Sequence, residues 1–184
     1  MAKSNNNLAT TGLSGKIGPF VFRQWYGRTV VGMRPKRSSI ISAGQLAIRN
    51  LFKLASIYAK AALNNPVLLQ FYESRSGEGI SSFNLALADY FKPPEIGDID
   101  TSSYDGSVGS HIKVVVTDNG KVESVRMRIE DNGSLLEEGH AILQADGMTF
   151  IYTATVANGS INGTSIMVDA VDLPGRHSLK QKSL

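Results

Sequence analysis

The sequence has no cysteine, which excludes disulfides and thiolate metal sites. Its first 72 residues contain no Asp or Glu; the first acid is Glu73. No apolar run approaches the roughly 20 residues that a membrane span needs. The opening MAKSNNNLATTGLSG lacks the apolar centre of a secretory signal. These absences lead us to expect a chain used where it is made. The expected place is the inside of a cell, or a particle assembled there.

The 184 residues suffice for one domain or two small ones, and 42% hydrophobic with 19% charged residues is ordinary for a globular chain. The net charge of +3 conceals an asymmetry. Ten Lys and Arg fall in residues 1–72, and the other nine share the rest of the chain with all sixteen acids. A basic front and an acidic back attract each other between copies or within one chain, and the front also suits a polyanion.

Residues 1–14 are small and polar and read as a flexible arm. Residues 18–34, within GPFVFRQWYGRTVVGMRPKR, read as a β-hairpin: aromatic and β-branched residues flank Tyr26-Gly27, and Pro35 ends the second strand. A two-residue turn puts Phe20, Phe22, Val31 and Met33 on one face. Val21, Arg23, Trp25, Arg28, Val30 and Arg34 then share the other. Tyr is unfavourable at positive φ, so a three-residue loop with left-handed Gly27 is the rival, and it moves the second strand's side chains to the opposite face. Either hairpin is marginal alone.

SAGQLAIRNLFKLASIYAKAAL, residues 42–63, reads as a helix opened by a Ser42/Gln45 capping box. Its apolar stripe is Ile48, Leu51, Phe52, Ala55, Ala59 and Ala62. Asn65 as N-cap with Pro66 behind it starts a second, short helix. Ser81 or Ser82 caps a third. Lys92-Pro93-Pro94 marks a change to short alternating strands punctuated by Asn119-Gly120, Asn132-Gly133, Asp146-Gly147, Asn158-Gly159 and Asn162-Gly163, all suited to type I′ turns. Phe150, Tyr152, Ala154 and Val156 alternate with Thr149, Ile151, Thr153 and Thr155, and Ile166, Val168 and Ala170 alternate with Ser165, Met167 and Asp169. Such strands indicate a sandwich. The expected organisation is an arm at 1–14, a basic α+β hairpin-plus-helices domain at 15–92, an all-β sandwich at 93–178 and a loose tail at 179–184.

HIKVVVTDNGKVESVRMRIEDNG, LLEEGHAILQADGMTFIYTATV and SIMVDAVDLPG together resemble a bacterial immunoglobulin-like domain spanning about Pro94 to Ser178. The lack of a Cys pair and of a core Trp sets it apart from antibody domains. The resemblance implies a spacer or interaction module and fixes no function. The front, SGKIGPFVFRQWYGRTVVGMRPKR with SAGQLAIRNLFKLA, is similar to a poorly characterised family of small proteins from Bacteroidota and their phages. That family has a G-K-[IV]-G element, a basic hairpin ending in R-x-[RK]-P-type sequence and a helix with a Q-x-x-x-R core. This resemblance implies a virion part such as a tail or neck ring subunit of crAss-like phages, located in a virion assembled in the host cytoplasm, with the bacterial cytoplasm itself as the alternative. It carries over no site residue.

Motifs of catalysis are missing. Ser14-Gly15-Lys16 fails the spacing of a phosphate loop, since Gly12 is too near and Ile17 follows the lysine. His111, His140 and His177 stand apart, and no nucleophile elbow occurs. Adjacent Glu137 and Glu138 point to opposite faces of a strand. Asp98, Asp100 and Asp105, or Asp169 and Asp172, carry oxygens of the kind Ca²⁺ takes, but turn and edge roles explain them. Asn158-Gly-Ser160 and Asn162-Gly-Thr164 match glycosylation sequons that turn chemistry also explains. The expectation is therefore no enzyme, no cofactor and no metal. Contact with protein or a polyanion is expected through Phe20, Phe22, Arg23, Trp25, Tyr26, Arg28, Arg34, Lys36 and Arg37. The expected partners are further copies of the chain and other virion proteins, with DNA as a candidate and no membrane. Nucleic acid would be met by Arg and Lys on phosphates and Trp25 or Tyr26 stacked on bases.

Overall fold

The computed structural model describes residues 2–4, 10–35 and 41–184. Lys36 and Arg37 lie outside the described residues. The fold is mixed α+β and rich in strand, with three helices and three four-stranded antiparallel sheets among the described residues. The chain divides into two units, residues 1–50 with 77–79, and residues 51–76 with 80–184.

The first unit is built on a sheet of β1 (Ala2–Ser4), β2 (Gly15–Ile17), β3 (Phe20–Trp25) and β4 (Arg28–Met33) in the order β1-β4-β3-β2. The backbone of residues 2–4 pairs with β4, Ala2 opposite Val31 and Ser4 opposite Thr29. The start of the expected flexible arm is thus an edge strand. Its end is tied back as well: Thr29 Oγ1 donates to the Thr10 carbonyl at 2.8 Å, and Gln24 Nε2 to the Leu13 carbonyl at 2.9 Å.

The helix α1 (Ala43–Asn64) crosses the division between the units. Its capping box forms in both directions, Gln45 N to Ser42 Oγ and Ser42 N to Gln45 Oε1, each at 3.2 Å. In α2 (Pro66–Glu73), Asn65 Oδ1 accepts from Val67 N with Pro66 behind it, and in α3 (Ser82–Phe91), Ser81 Oγ accepts from Asn84 N. Only Ala55, Ala59 and Ala62 of the expected α1 stripe are buried, while Ile48 and Phe52 are exposed. Ala59 and Ala62 form a small cluster with Tyr72 and Ala86, flanked by Leu68, Phe71 and Phe83. Small side chains set the close approach here, so the bulky members of the stripe find no cover.

The second unit's two sheets are β5 (Glu95–Asp100), β6 (His111–Thr117), β10 (Thr149–Thr153) and β9 (Ile142–Leu143) in the order β5-β6-β10-β9, and β12 (His177–Ser183), β11 (Thr164–Asp172), β7 (Val122–Asp131) and β8 (Ser134–His140) in the order β12-β11-β7-β8. They enclose one core. Ile112, Val114, Val116, Phe150 and Tyr152 come from one sheet; Val125, Met127, Ile129, Ile166, Val168 and Ala170 come from the other. The period-two alternation puts these side chains inward. Val156 falls beyond β10 and is exposed.

Three expectations are corrected. Residues 177–183 are not a loose tail: they pair with β11 from Val171↔His177 to Ser165↔Ser183. Lys180 Nζ donates to the Gly97 carbonyl at 2.8 Å and Lys182 Nζ to the Ile99 carbonyl at 2.7 Å, both on β5 of the other sheet. Polar side chains serve this strand because they reach backbone acceptors. The division between units also falls within α1 rather than at Lys92-Pro93-Pro94, since α2, α3 and the second half of α1 belong with the sandwich. Finally, of the five expected pairs only Asn132-Gly133 is a type I′ turn, with φ of 47° and 81°; Asp146-Gly147 and Asn162-Gly163 have positive φ at the glycine alone, and Asn158-Gly159 and Asn119-Gly120 at neither residue. There Asp118 Oδ2 accepts from Gly120 N at 2.9 Å, making an Asx turn.

Candidate functional site

The hairpin closes on a two-residue loop: Trp25 pairs with Arg28, Tyr26 has φ 48° and Gly27 φ 71°. The rival three-residue loop is excluded, and the register follows. Phe20 opposes Met33 and Phe22 opposes Val31 on one face, joined by Ile17 of β2. Arg23 opposes Val30 and Trp25 opposes Arg28 on the other, joined by Lys16. Alternation places Arg34 on this second face, and its amide donates to the Pro19 carbonyl at 2.7 Å.

The structure therefore separates the expected contact residues into an apolar face bearing Phe20 and Phe22, and a basic-aromatic face bearing Arg23, Trp25, Arg28 and Arg34. Tyr26 stands at the tip, its ring edge-on to Trp25 with centroids 5.8 Å apart. Both faces are uncovered in part: Thr29 and Val30 are buried and Phe22 is half-buried, but the large side chains around them are not. Phe20, Trp25, Tyr26 and Met33 are 47%, 52%, 54% and 75% exposed, and Ile17 is also exposed. Among the described residues, no ion pair holds Arg23, Arg28 or Arg34. A shallow depression on the basic face is lined by Val21, Arg23, Val30, Gly32, Met33 and Pro35. A tyrosine in the left-handed region costs about 1–2 kcal/mol against the Asn or Gly that type I′ turns favour.

A second cluster lies within the second unit, and sequence reasoning missed it. Asp89 of α3 is 1% exposed and Asp172, at the end of β11, is 0% exposed. Tyr72 of α2 donates its hydroxyl to Asp89 Oδ2 at 2.6 Å, and Tyr58 of α1 shares a 2.9 Å hydrogen bond with the Tyr72 hydroxyl. Asp172 Oδ1 accepts from the Arg176 amide at 2.5 Å. Asp89 Oδ1, Asp118 Oδ1 and Asp172 Oδ2 are all buried without a hydrogen-bond donor. Burial lifts the Asp89 pKa to about 6; the Tyr72 hydroxyl opposes this, and the nearby Asp118 and Asp172 carboxylates add to it. Burial likewise raises Asp172 and, with the Asp89 hydrogen bond, Tyr72. The signal in the sequence was a single acid, Asp89, in the otherwise apolar SFNLALADYF.

The other carboxylates singled out from the sequence do ordinary work. Asp98 meets Lys180 at 2.9 Å, Asp100 and Asp105 accept from the Ser102 and Ser107 amides, and Asp169 meets His177. These partners hold Asp98, Asp100 and Asp105 below the usual carboxylate range. Glu137 turns inward while Glu138 faces out to Arg126. Asn158 is buried, donating to Thr164 Oγ1 at 2.7 Å, so its side chain serves the fold. Among the described residues, no group of three or more His, Asp or Glu is arranged to hold a metal ion, and no helix is long and apolar enough to cross a membrane.

No protein-family model matches the chain, and no curated protein matches it. An engineered protein solved by crystallography is similar over 55% of this chain and 25% of that one, at 15% sequence identity and a TM-score of 0.36. The chain thus spans about a quarter of that structure's length.

Proposed function

We propose that this chain is a non-enzymatic structural subunit of a larger assembly, a phage tail or neck ring protein that joins other copies of itself through hairpin, arm and sandwich. One observation carries the reading: a four-stranded sheet leaves Ile17, Phe20 and Met33 exposed on one face and Trp25 on the other. A small sheet with an uncovered apolar face gains stability when a partner covers it. The acid-free front and acid-bearing back give copies complementary charge for head-to-tail contact, which closes into rings when the rotation allows. The sandwich reads as immunoglobulin-like, an interaction module with two antiparallel sheets around one core.

The experiment is mass measurement of the full chain at moderate salt, alone and co-expressed with the products of neighbouring genes. A ring-sized species that Phe20→Ser with Met33→Ser dissolves supports the reading. A persistent monomer under both conditions overturns it.

A second reading, a DNA- or RNA-binding accessory protein, draws on Lys16, Arg23, Trp25 and Arg28 sharing one face. It fits phosphate contacts with aromatic stacking. Undetectable binding of duplex and single-stranded DNA and RNA at low salt overturns this one.

A further inference from the structure

We propose that α3 is held on the sandwich by a proton-dependent latch, in which a protonated Asp89 hydrogen-bonds Asp118 across the helix–turn junction, so that α3 loosens as the proton leaves.

The geometry leaves few other ways to join these groups. Asp89 Oδ1 and Asp118 Oδ1 are acceptors when ionised, both are buried, and neither has a donor. Both carboxyls close on Gly120: Asp118 Oδ2 accepts from its amide at 2.9 Å, and the Asp89 carboxyl lies over its α-carbon. Two facing acceptors cohere only when a proton sits between them. The approach is close because Gly120 has no side chain, and a Cβ there would overlap the Asp89 carboxyl.

The surrounding charges do not relieve the cluster. From α2 and α1 come the hydroxyls of Tyr72 and Tyr58, of which only Tyr72 touches Asp89. From β11 comes the buried Asp172, and β7 adds Glu123 near Tyr58. The cations are Arg176, Lys121, Arg75 and Lys92, the last lining a second depression beside Asp118 together with the acid Glu95. The Arg176 guanidinium is committed to the Tyr90 carbonyl at 2.8 Å, and Arg75 stacks on Phe71 at 3.7 Å. Lys121 and Arg75 line the depression of about 330 Å³ beside Asp118, without an ion pair among the described residues.

The sign follows from linkage. Asp89 titrates near 6 in the folded chain, above the ordinary value of 3.8. Its stabilising contribution is therefore complete below the ordinary value and is lost as pH rises through about 6. Asp98, Asp100, Asp105 and Asp146 are shifted downward and contribute in the opposite sense, their stability being lost on acidification. A comparison with Asp89→Asn separates the latch from these groups.

The test is amide hydrogen exchange of residues 82–91 in the full chain with EDTA, corrected for intrinsic exchange, at pH 4.5 and 7. The opening constant of α3 in wild type should rise about twentyfold across that interval relative to Asp89→Asn. Asp118→Asn should flatten the profile as Asp89→Asn does, which keeps the test decisive if one variant folds poorly. Parallel profiles for wild type and both variants overturn the latch. So does a wild-type α3 at pH 7 whose protection is restored by millimolar CaCl2, because the cluster then holds a cation in place of the proton. The inference stands apart from the assembly reading, and mass measurements have no bearing on it.

Discussion

The Asp89 carboxyl lies against the α-carbon of Gly120, with no room for a side chain between them. Gly120 has an ordinary negative φ, so it is required for space and not for backbone freedom. Gly120→Ala should therefore destabilise the second unit by about 1–3 kcal/mol, the usual cost of overpacking. Denaturant unfolding measures this. Combined with Asp89→Ala, the two costs should fall short of additive, because the second change removes the group that the first strikes.

Tyr26 predicts a conflict between stability and contact. Tyr26→Asn puts a residue that tolerates left-handed backbone into the type I′ turn and should stabilise the hairpin by about 1 kcal/mol. Hydrogen exchange over residues 20–33 reads the gain. The same variant should associate less well with its own copies, because the aromatic tip is gone. Unchanged association would remove Tyr26 from the proposed contact.

Glu137 predicts a difference from its neighbour. Its Oε2 accepts from the Tyr152 hydroxyl at 2.9 Å, the Thr155 amide at 2.8 Å and Thr155 Oγ1 at 2.7 Å. Glu137→Ala strands the buried Tyr152 hydroxyl, removes both bonds to the exposed Thr155, and should cost about 1–3 kcal/mol in thermal unfolding. Glu138→Ala breaks only the surface pair with Arg126 and should stay within about 0.5 kcal/mol.

Salt dependence separates the two faces of the hairpin. If Arg23 and Arg28 contact phosphates, the double alanine variant should lower the slope of log K against log salt by about 0.9 per lost duplex contact. Phe20→Ser with Met33→Ser should leave that slope unchanged and reduce self-association. A titration series in KCl for both variants shows which face carries which contact.

Local chemistry was the legible part of the sequence. The capping box at Ser42 and Gln45, the Asn65 cap and the Asn132-Gly133 turn each depend on neighbours within a few residues. The alternation of Ile166, Val168 and Ala170 is likewise written along one strand. The placing of Arg28 with Arg23 and Trp25 also followed once a two-residue turn was assumed. What stayed hidden depends on partners far away in the chain. HSLKQKS carries no apolar alternation because its lysines bond β5 carbonyls 83 residues distant. Asn119-Gly120 looked like Asn132-Gly133, yet it is an Asx turn on Asp118 whose glycine is needed to make room for a carboxyl on α3. Asp89 is one acid in SFNLALADYF, and only the packing of α2, α3 and the sandwich takes it out of water.

The lysines of β12 have a consequence for how the sandwich meets other chains. They bridge one open side to β5, while on the other side the chain steps directly from β8 into β9 through Ala141. Both flanks are thereby gated against the edge-to-edge pairing that seeds fibrils. Strand addition is left to the front sheet, whose outer strands β1 and β2 have no such guard among the described residues. Templated growth, wanted or unwanted, should begin there.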